Sequence, residues 1–123
     1  MAFNATLTVD GTDYLINWML LRVMRNEDQR GKPASRPDWG VIISLPTSDD
    51  STIKHWMIDP HMQKDGKITL SRIDEAATFK EIEFKKAFCV WYQDKFYADV
   101  DYLTTVINII GGEVTFNKAT LTV

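Results

Sequence analysis

The sequence predicts a mainly β domain, an antiparallel barrel or sandwich with one short helix on its side. Three observations carry this. About seven apolar segments alternate in the period of strands and are parted by tight-turn signals, and a single stretch has clear helical spacing. The length, 123 residues, suits one domain, 1–123, and is too short for two ordinary ones. Hydrophobic residues make up 45% and charged residues 25%, a globular balance that argues against disorder.

From the start, "AFNATLTV" puts Phe3, Ala5, Leu7 and Val9 on one face of a half-buried strand. Asp10-Gly11 follows as a hairpin signal. "DYLINWMLLRVMR" is ambiguous: Ile16, Met19, Leu20, Val23 and Met24 would also form a helical stripe, but the preceding hairpin turn favours a strand. Asn26 to Asp38, "NEDQRGKPASRPD", is one long polar loop, a type that in compact domains is usually functional or disordered. "WGVIISLP" resumes alternation through Trp39, Val41, Ile43 and Leu45 until Pro46.

The helix comes next. Ser48, Asp49 or Asp50 can cap it, Ile53, Trp56 and Met57 share a face, and Asp59-Pro60 stops it. Asp65-Gly66 reads as a turn into a strand with Ile68 and Leu70 on one face, and "DEAAT" as another turn. "FKEIEFKKAFCVWYQDKF" is the longest strand candidate. Ile82, Phe84, Phe88, Val90 and Tyr92 are expected on one face, with Ala87, Cys89 and Trp91 making the other face apolar as well. Two closing strands are expected to join through a hairpin at Gly111-Gly112, with a bulge near Asn117-Lys118 where the apolar parity slips.

Little in this chain speaks for chemistry. His55 and Asp59 share a helix face and could begin a metal site, yet only His61 and Asp65 lie nearby, and a helix end with an imidazole near its negative dipole explains the pattern as well. Cys89 sits within an apolar strand as a small hydrophobe, and as the single cysteine it can form no internal disulfide. The acidic pairs Asp49-Asp50 and Asp99/Asp101 sit at caps and turns, and no nucleophile elbow or phosphate-binding glycine loop occurs. The expectation is therefore no enzyme, no metal and no cofactor. A nucleic-acid barrel finds some ingredients in "KKAFCVWYQDKF", but the formal charge of −3 argues against it. The longest apolar run, around Trp18 to Leu21, is far short of the roughly 20 residues of a membrane span. "MAFNATLTVDG" shows no signal peptide, so cytoplasmic synthesis is expected. Apolar residues on both faces of one strand call for a partner, because a small barrel has a single inside.

In order along the chain, "LTVDG" with Tyr14, "GKPAS", "WMIDPHMQKDGKITLSRID" and "FKEIEFKKAFCVWY" resemble the type VI secretion tube protein family (Hcp, also called TssD) in its Bacteroidetes form. The resemblance runs from Phe3 to about Ile110; Leu20-Leu21 is more apolar than the family pattern, and "GGEVTFNKATLTV" matches loosely. It implies a small antiparallel β-barrel with one short flanking α-helix, like phage tail tubes. It also implies homo-oligomeric, hexameric rings that stack into a tube inside a contractile sheath. A spike protein tips the tube, effector proteins ride in the lumen, and the tube is assembled in the cytoplasm and then secreted, with neither nucleic acid nor membrane insertion involved. The runner-up is the tube subunit of another contractile injection system, or a nucleic-acid-binding β-barrel. In this family an extended loop at the position of Glu27, Asp28, Gln29, Arg30, Gly31, Lys32, Pro33, Ala34, Ser35 and Arg36 reaches the neighbouring ring, which makes these residues the expected stacking contact.

Overall fold

The computed structural model of the chain describes residues 3–25, 38–73, 78–99, 102–117 and 119–122. It is mainly β with one helix. The elements are β1 (Phe3–Val9), β2 (Thr12–Leu15), β3 (Trp18–Met24), β4 (Asp38–Pro46), α1 (Thr52–Ile58), β5 (Lys64–Arg72), β6 (Thr78–Tyr97), β7 (Tyr102–Ile110), β8 (Glu113–Phe116) and β9 (Ala119–Thr122). All described pairings are antiparallel. They make two sheets, one ordered β2-β1-β5-β6-β8-β9 and the other β6-β7-β4-β3, with β6 shared.

At 20 residues β6 is far longer than the usual strand, and it keeps residues packed against the core as far as Tyr92 only by shifting its register on the way. Its buried residues are Ile82, Phe84, Ala87 and Cys89, and Tyr92 packs partly against the same core. The steps of three in that series mark bulges, one at Lys86, held at φ 55, and one between Cys89 and Trp91. This corrects the expected face: Val90 is exposed and Phe88 only half-buried, while Ala87 and Cys89 point inward. A single parity cannot hold along a strand that passes from one sheet to the next.

The first bulge is built from three sides. Asp65 Oδ1 accepts the Lys86 backbone N–H at 2.9 Å, so Asp65-Gly66 is not a turn but a matching irregularity within β5. Gly66 is needed there, because a Cβ would lie 2.6 Å from the Phe84 ring and 2.7 Å from the Thr8 carbonyl oxygen. On the other edge, Gly111 and Gly112 both have positive φ, and a Cβ on Gly112 would lie 1.9 Å from the Lys85 carbonyl oxygen. These glycines make no hairpin. Ile110 pairs with Phe88 and Glu113 with Lys85, so β7 and β8 run on as one kinked strand beside β6. The hairpin lies at the next turn, where Asn117 has φ 54 and Phe116 pairs with Ala119; the parity slip expected as a bulge is this chain reversal. Lys118 lies outside the described residues, as do positions 74–77 of the expected "DEAAT" turn.

Other expectations hold. Asp10 and Gly11, at φ 54 and 74, have the two positive values of a primed hairpin turn. The ambiguous segment is extended, broken at Ile16-Asn17 into β2 and β3. That corner joins the outer strands of the two sheets, with Ile16 N–H donating to Ala5 O at 3.0 Å and Asn17 N–H to Ser44 O at 2.8 Å. The chain itself, rather than a strand pairing, links the two outer strands here, since β2 and β3 do not pair. Helix α1 begins where Asp50 Oδ1 accepts the Thr52 N–H at 2.9 Å and ends before Pro60. It plugs the core with Ile53 and Trp56; the Trp56 ring stacks on Phe84 at 6.2 Å and its N–H donates to Ala87 O at 3.1 Å.

Two outcomes follow for stability. Gly11→Ala meets open space and costs only its positive φ, about 1 kcal/mol, whereas Gly112→Ala must move backbone and is expected to cost about 3 kcal/mol or more in urea unfolding. The Tyr14 hydroxyl donates to Asp50 at 2.7 Å; burial and the Asp50 carboxylate raise its pKa to about 12, and the same bond lowers that of Asp50. The raised group stabilises the fold below pH 10 and loses that contribution as pH climbs through about 12. The lowered carboxylate stabilises above its ordinary 3.8 and loses that contribution as pH falls through its depressed value. Thermal melts of Tyr14→Phe are expected to start lower at neutral pH and to fall off less at both extremes.

Candidate assembly interface

The second sheet, four strands wide, is where the molecule is unfinished. Among the described residues its outermost strand β3 pairs only with β4, leaving residues 18–24 with a free edge. At the opposite side, β6 loses β5 at Ala87, and beyond that point it pairs only with β7 among the described residues. A long free strand edge is a template for another strand, and proteins that stay monomeric cover or distort it.

Strand directions alternate across β3, β4, β7 and β6, so the two free edges run in opposite senses. An identical sheet set alongside therefore meets β6 with its β3 antiparallel, the same pairing used throughout the molecule. The rows are level: Leu20, Ile42, Asn108 and Trp91 lie opposite one another, as do Arg22, Gly40, Ile110 and Phe88. The outward face of these rows is rich in apolar side chains, with Trp18 and Leu20 51% exposed and Trp91 48% exposed. Covering the exposed half of each such side chain is worth about 1 kcal/mol.

Helix α1 lies along the free part of β6. Lys54 Nζ stands 3.9 Å from Asp94 and over the Tyr92 ring at 5.6 Å, while Trp56 reaches Ala87. Asp94 also accepts the Thr105 hydroxyl at 2.6 Å, and burial raises the pKa of Tyr92. Where the helix ends, Met57, Asp59 and Pro60 face Phe88, Cys89 and Val90 across an apolar notch of about 370 Å³.

The expected stacking residues Glu27 to Arg36 lie outside the described residues, but their anchors do not. Met24 and Asp38 are directly paired, so the loop leaves and rejoins the sheet at one end, opposite the β6–β7 hairpin. His55 and His61 are both exposed. Asp59 Oδ1 accepts the His61 backbone N–H at 2.9 Å, making a turn. Among the described residues no three His, Cys, Asp or Glu side chains converge. Burial pushes the Cys89 thiol up to about 11, which keeps it protonated at neutral pH, and it donates weakly to the Trp91 carbonyl. Asp50 lies one residue before the helix N-cap Ser51 and accepts the Thr52 N–H, and Asp99 lies in the turn after β6; Asp101 is outside the described residues. The free edges were not foreseen from the sequence. The apolarity of both β6 faces beyond Ala87 was their only signal.

The family model described as haemolysin coregulated protein Hcp (TssD) matches residues 1–122. No curated protein sequence matches the chain. Among solved structures it is similar to Hcp1 from Flavobacterium johnsoniae, with TM-score 0.87 and 23% identity over 98% of this chain and 99% of that one. It is also similar to the Hcp1 protein of the E. coli EAEC 042 pathovar, with TM-score 0.70 and 10% identity over 94% and 90%. A chain of the sheath-tube complex of PVC, an extracellular contractile injection system, shares TM-score 0.62 and 12% identity over 93% and 88%. A sheet left unfinished at both edges fits a part made to be continued by its neighbours, and the chain belongs to the Hcp (TssD) family, the structural, non-enzymatic tube subunits of type VI secretion systems.

Proposed function

We propose that this tube subunit closes head to tail, the β3 edge of one copy against the β6 edge of the next, into a ring of six, and that rings stack into the secreted tube. The observation that carries this is the four-stranded sheet with both edges free and opposite in sense. Because the two edges differ, their contact is heterologous, and such contacts give closed rings when the rotation closes. The other sheet and the helix crowd one face, so the free face carrying Leu20, Ile42, Asn108 and Trp91 turns toward the bore. Six copies make about 24 strands; at about 4.8 Å each, the backbone circumference is about 115 Å and the bore about 37 Å across before strand tilt widens it. Such a bore has room for small folded effectors.

Stacking falls to the Glu27–Arg36 loop. Arg30, Lys32 and Arg36 offer charge-paired contacts of about 0.2–1 kcal/mol each, and repetition around a ring turns them into a firm but reversible joint. Pro33 reduces what the loop loses on ordering. The sheath, spike and effector partners, and export through the apparatus, belong to the same proposal. They draw support from the likeness to the PVC sheath-tube chain. That likeness also favours a second reading, the tube of another contractile injection system, against which the family match weighs.

Native mass spectrometry at micromolar concentration is expected to show a closed six-copy species; a clean monomer overturns the ring. Replacing Gly31 to Ser35 with a Gly-Ser linker is expected to leave that species intact while abolishing tubes in electron micrographs and secretion from cells. Rings that fall apart in this variant would assign the loop to lateral closure instead.

A further inference from the structure

Building on the head-to-tail ring, we infer that the tip of the β6–β7 hairpin is a second stacking contact, docking on the β3–β4 end of a copy in the next ring. Closing the sheet edge to edge uses its two sides, so strand ends are what a ring offers along its axis. Those ends are stepped. Trp18, the first residue of β3, lies level with Ser44, Val106 and Gln93. The β6–β7 pair runs four rows further, through Asp94–Thr105, Lys95–Thr104 and Phe96–Leu103 to Tyr97–Tyr102, about 13 Å. β4 accompanies it only to Thr104, with one more bond from the Thr47 N–H to the Leu103 carbonyl. A neighbouring β3 held level with its own rows stops at Gln93 and leaves 94–97 projecting. At the other end the step is reversed. β4 last pairs with β7 at Gly40, while β3 and β4 continue together through Val23–Trp39 to Met24–Asp38.

Both steps are apolar, and on matching faces. Phe96 is 68% exposed and Leu103, directly opposite it, is 48% exposed. Alternation puts them on the face of Tyr92 and Ile107, the core side, though beyond the core itself. Tyr97, also exposed, follows on the bore side. At the other end Val23 lies on the core side and Met24 on the bore side, both exposed. Copies stacked in one sense share these radii, so rotation about the axis brings Phe96 and Leu103 to Val23, and Tyr97 to Met24. Charge agrees. The hairpin turn carries Asp99, while the β3–β4 end exposes Arg22 and Arg25 with one acid, Asp38, among the described residues. Rings stacked in opposite senses would set Asp99 near Asp99 and leave the β3–β4 ends to meet each other. The contact joins unlike surfaces and does not close on itself, so it propagates from ring to ring. It lies at the foot of the Glu27–Arg36 loop, which leaves and rejoins the sheet at Met24 and Asp38.

Because Phe96 is exposed, Phe96→Ser tests this in the full chain without touching the core. Native mass spectrometry is expected to show its rings intact. Electron micrographs are expected to show its tubes only above a protein concentration raised about tenfold or more. Phe96→Leu is expected to keep tubes, and Leu15→Ser, at an equally exposed side chain of the other sheet, to leave them unchanged. Phe96→Ser tubes that form as in the parent, or an equal loss in Leu15→Ser, overturn the contact. Rings that fall apart in Phe96→Ser overturn it too, and place the hairpin in the lateral seam. For polarity, Phe96→Cys and Val23→Cys rings are assembled separately in a Cys89→Ala background, mixed under tube-forming conditions and treated with a short bismaleimide. Covalent pairs with one chain of each kind are expected. Formed tubes without such pairs, or with Phe96→Cys chains joined to each other, overturn the assignment. A parent that stays monomeric sinks the ring, and parent rings that never stack sink the stacking reading. Stacked parent rings indifferent to Phe96→Ser sink only the hairpin.

Discussion

The structure depends on one strand passing from one sheet to another without breaking. β6 must give up β5 at Ala87, keep its partner on the β7–β8 side, and still present apolar residues to a core whose direction has turned. A strand rotates its side chains by half a turn per residue, so only an extra residue can change which set faces inward. Lys86 is that residue. Its left-handed backbone is tolerable because Asp65 satisfies its N–H and Gly112, lacking a Cβ, lets the neighbouring chain close against it. Trp39 adds a further tie by donating its indole N–H to the Gly112 carbonyl at 3.2 Å. The end of β5 beside this bulge is also what leaves the rest of β6 unpaired, so one local device produces both the closed core and the free edge.

This explains which parts of the molecule were legible in the sequence. Trp39, Val41, Ile43 and Leu45 lie on a strand within a single sheet, and alternation named all four as buried. The helix was readable because Ile53 and Trp56 recur at helical spacing and Asp59-Pro60 ends it by local sterics. Phe88 and Val90 were assigned inward wrongly because alternation assumes one partner sheet, and the change of sheet is a long-range event with no local signature beyond Lys85-Lys86. Gly111-Gly112 announced positive φ correctly but not its use; a reversal and a kink in a continuing strand need the same backbone freedom. The candidate interface was half legible. Apolar residues on both faces signalled a partner, but a free edge depends on where β5 ends, which only the pairing reveals.

The choice of partner edge follows from what flanks each one. A two-fold axis could also pair β3 with β3 or β6 with β6 in antiparallel fashion, so strand direction alone does not select a ring. The β6 edge, however, is accompanied along its length by α1, with Lys54 near Asp94 and Trp56 at Ala87. Two such edges brought together would set two helices against each other at one seam. Among the described residues the β3 edge has no helix beside it, and Val23 is left exposed on its inward side. Two bare edges would pair but leave both β6 edges free. Only the mixed pairing leaves no edge unpaired once the ring closes. This asymmetry between a flanked and a bare edge is what directs one copy's β3 to the next copy's β6.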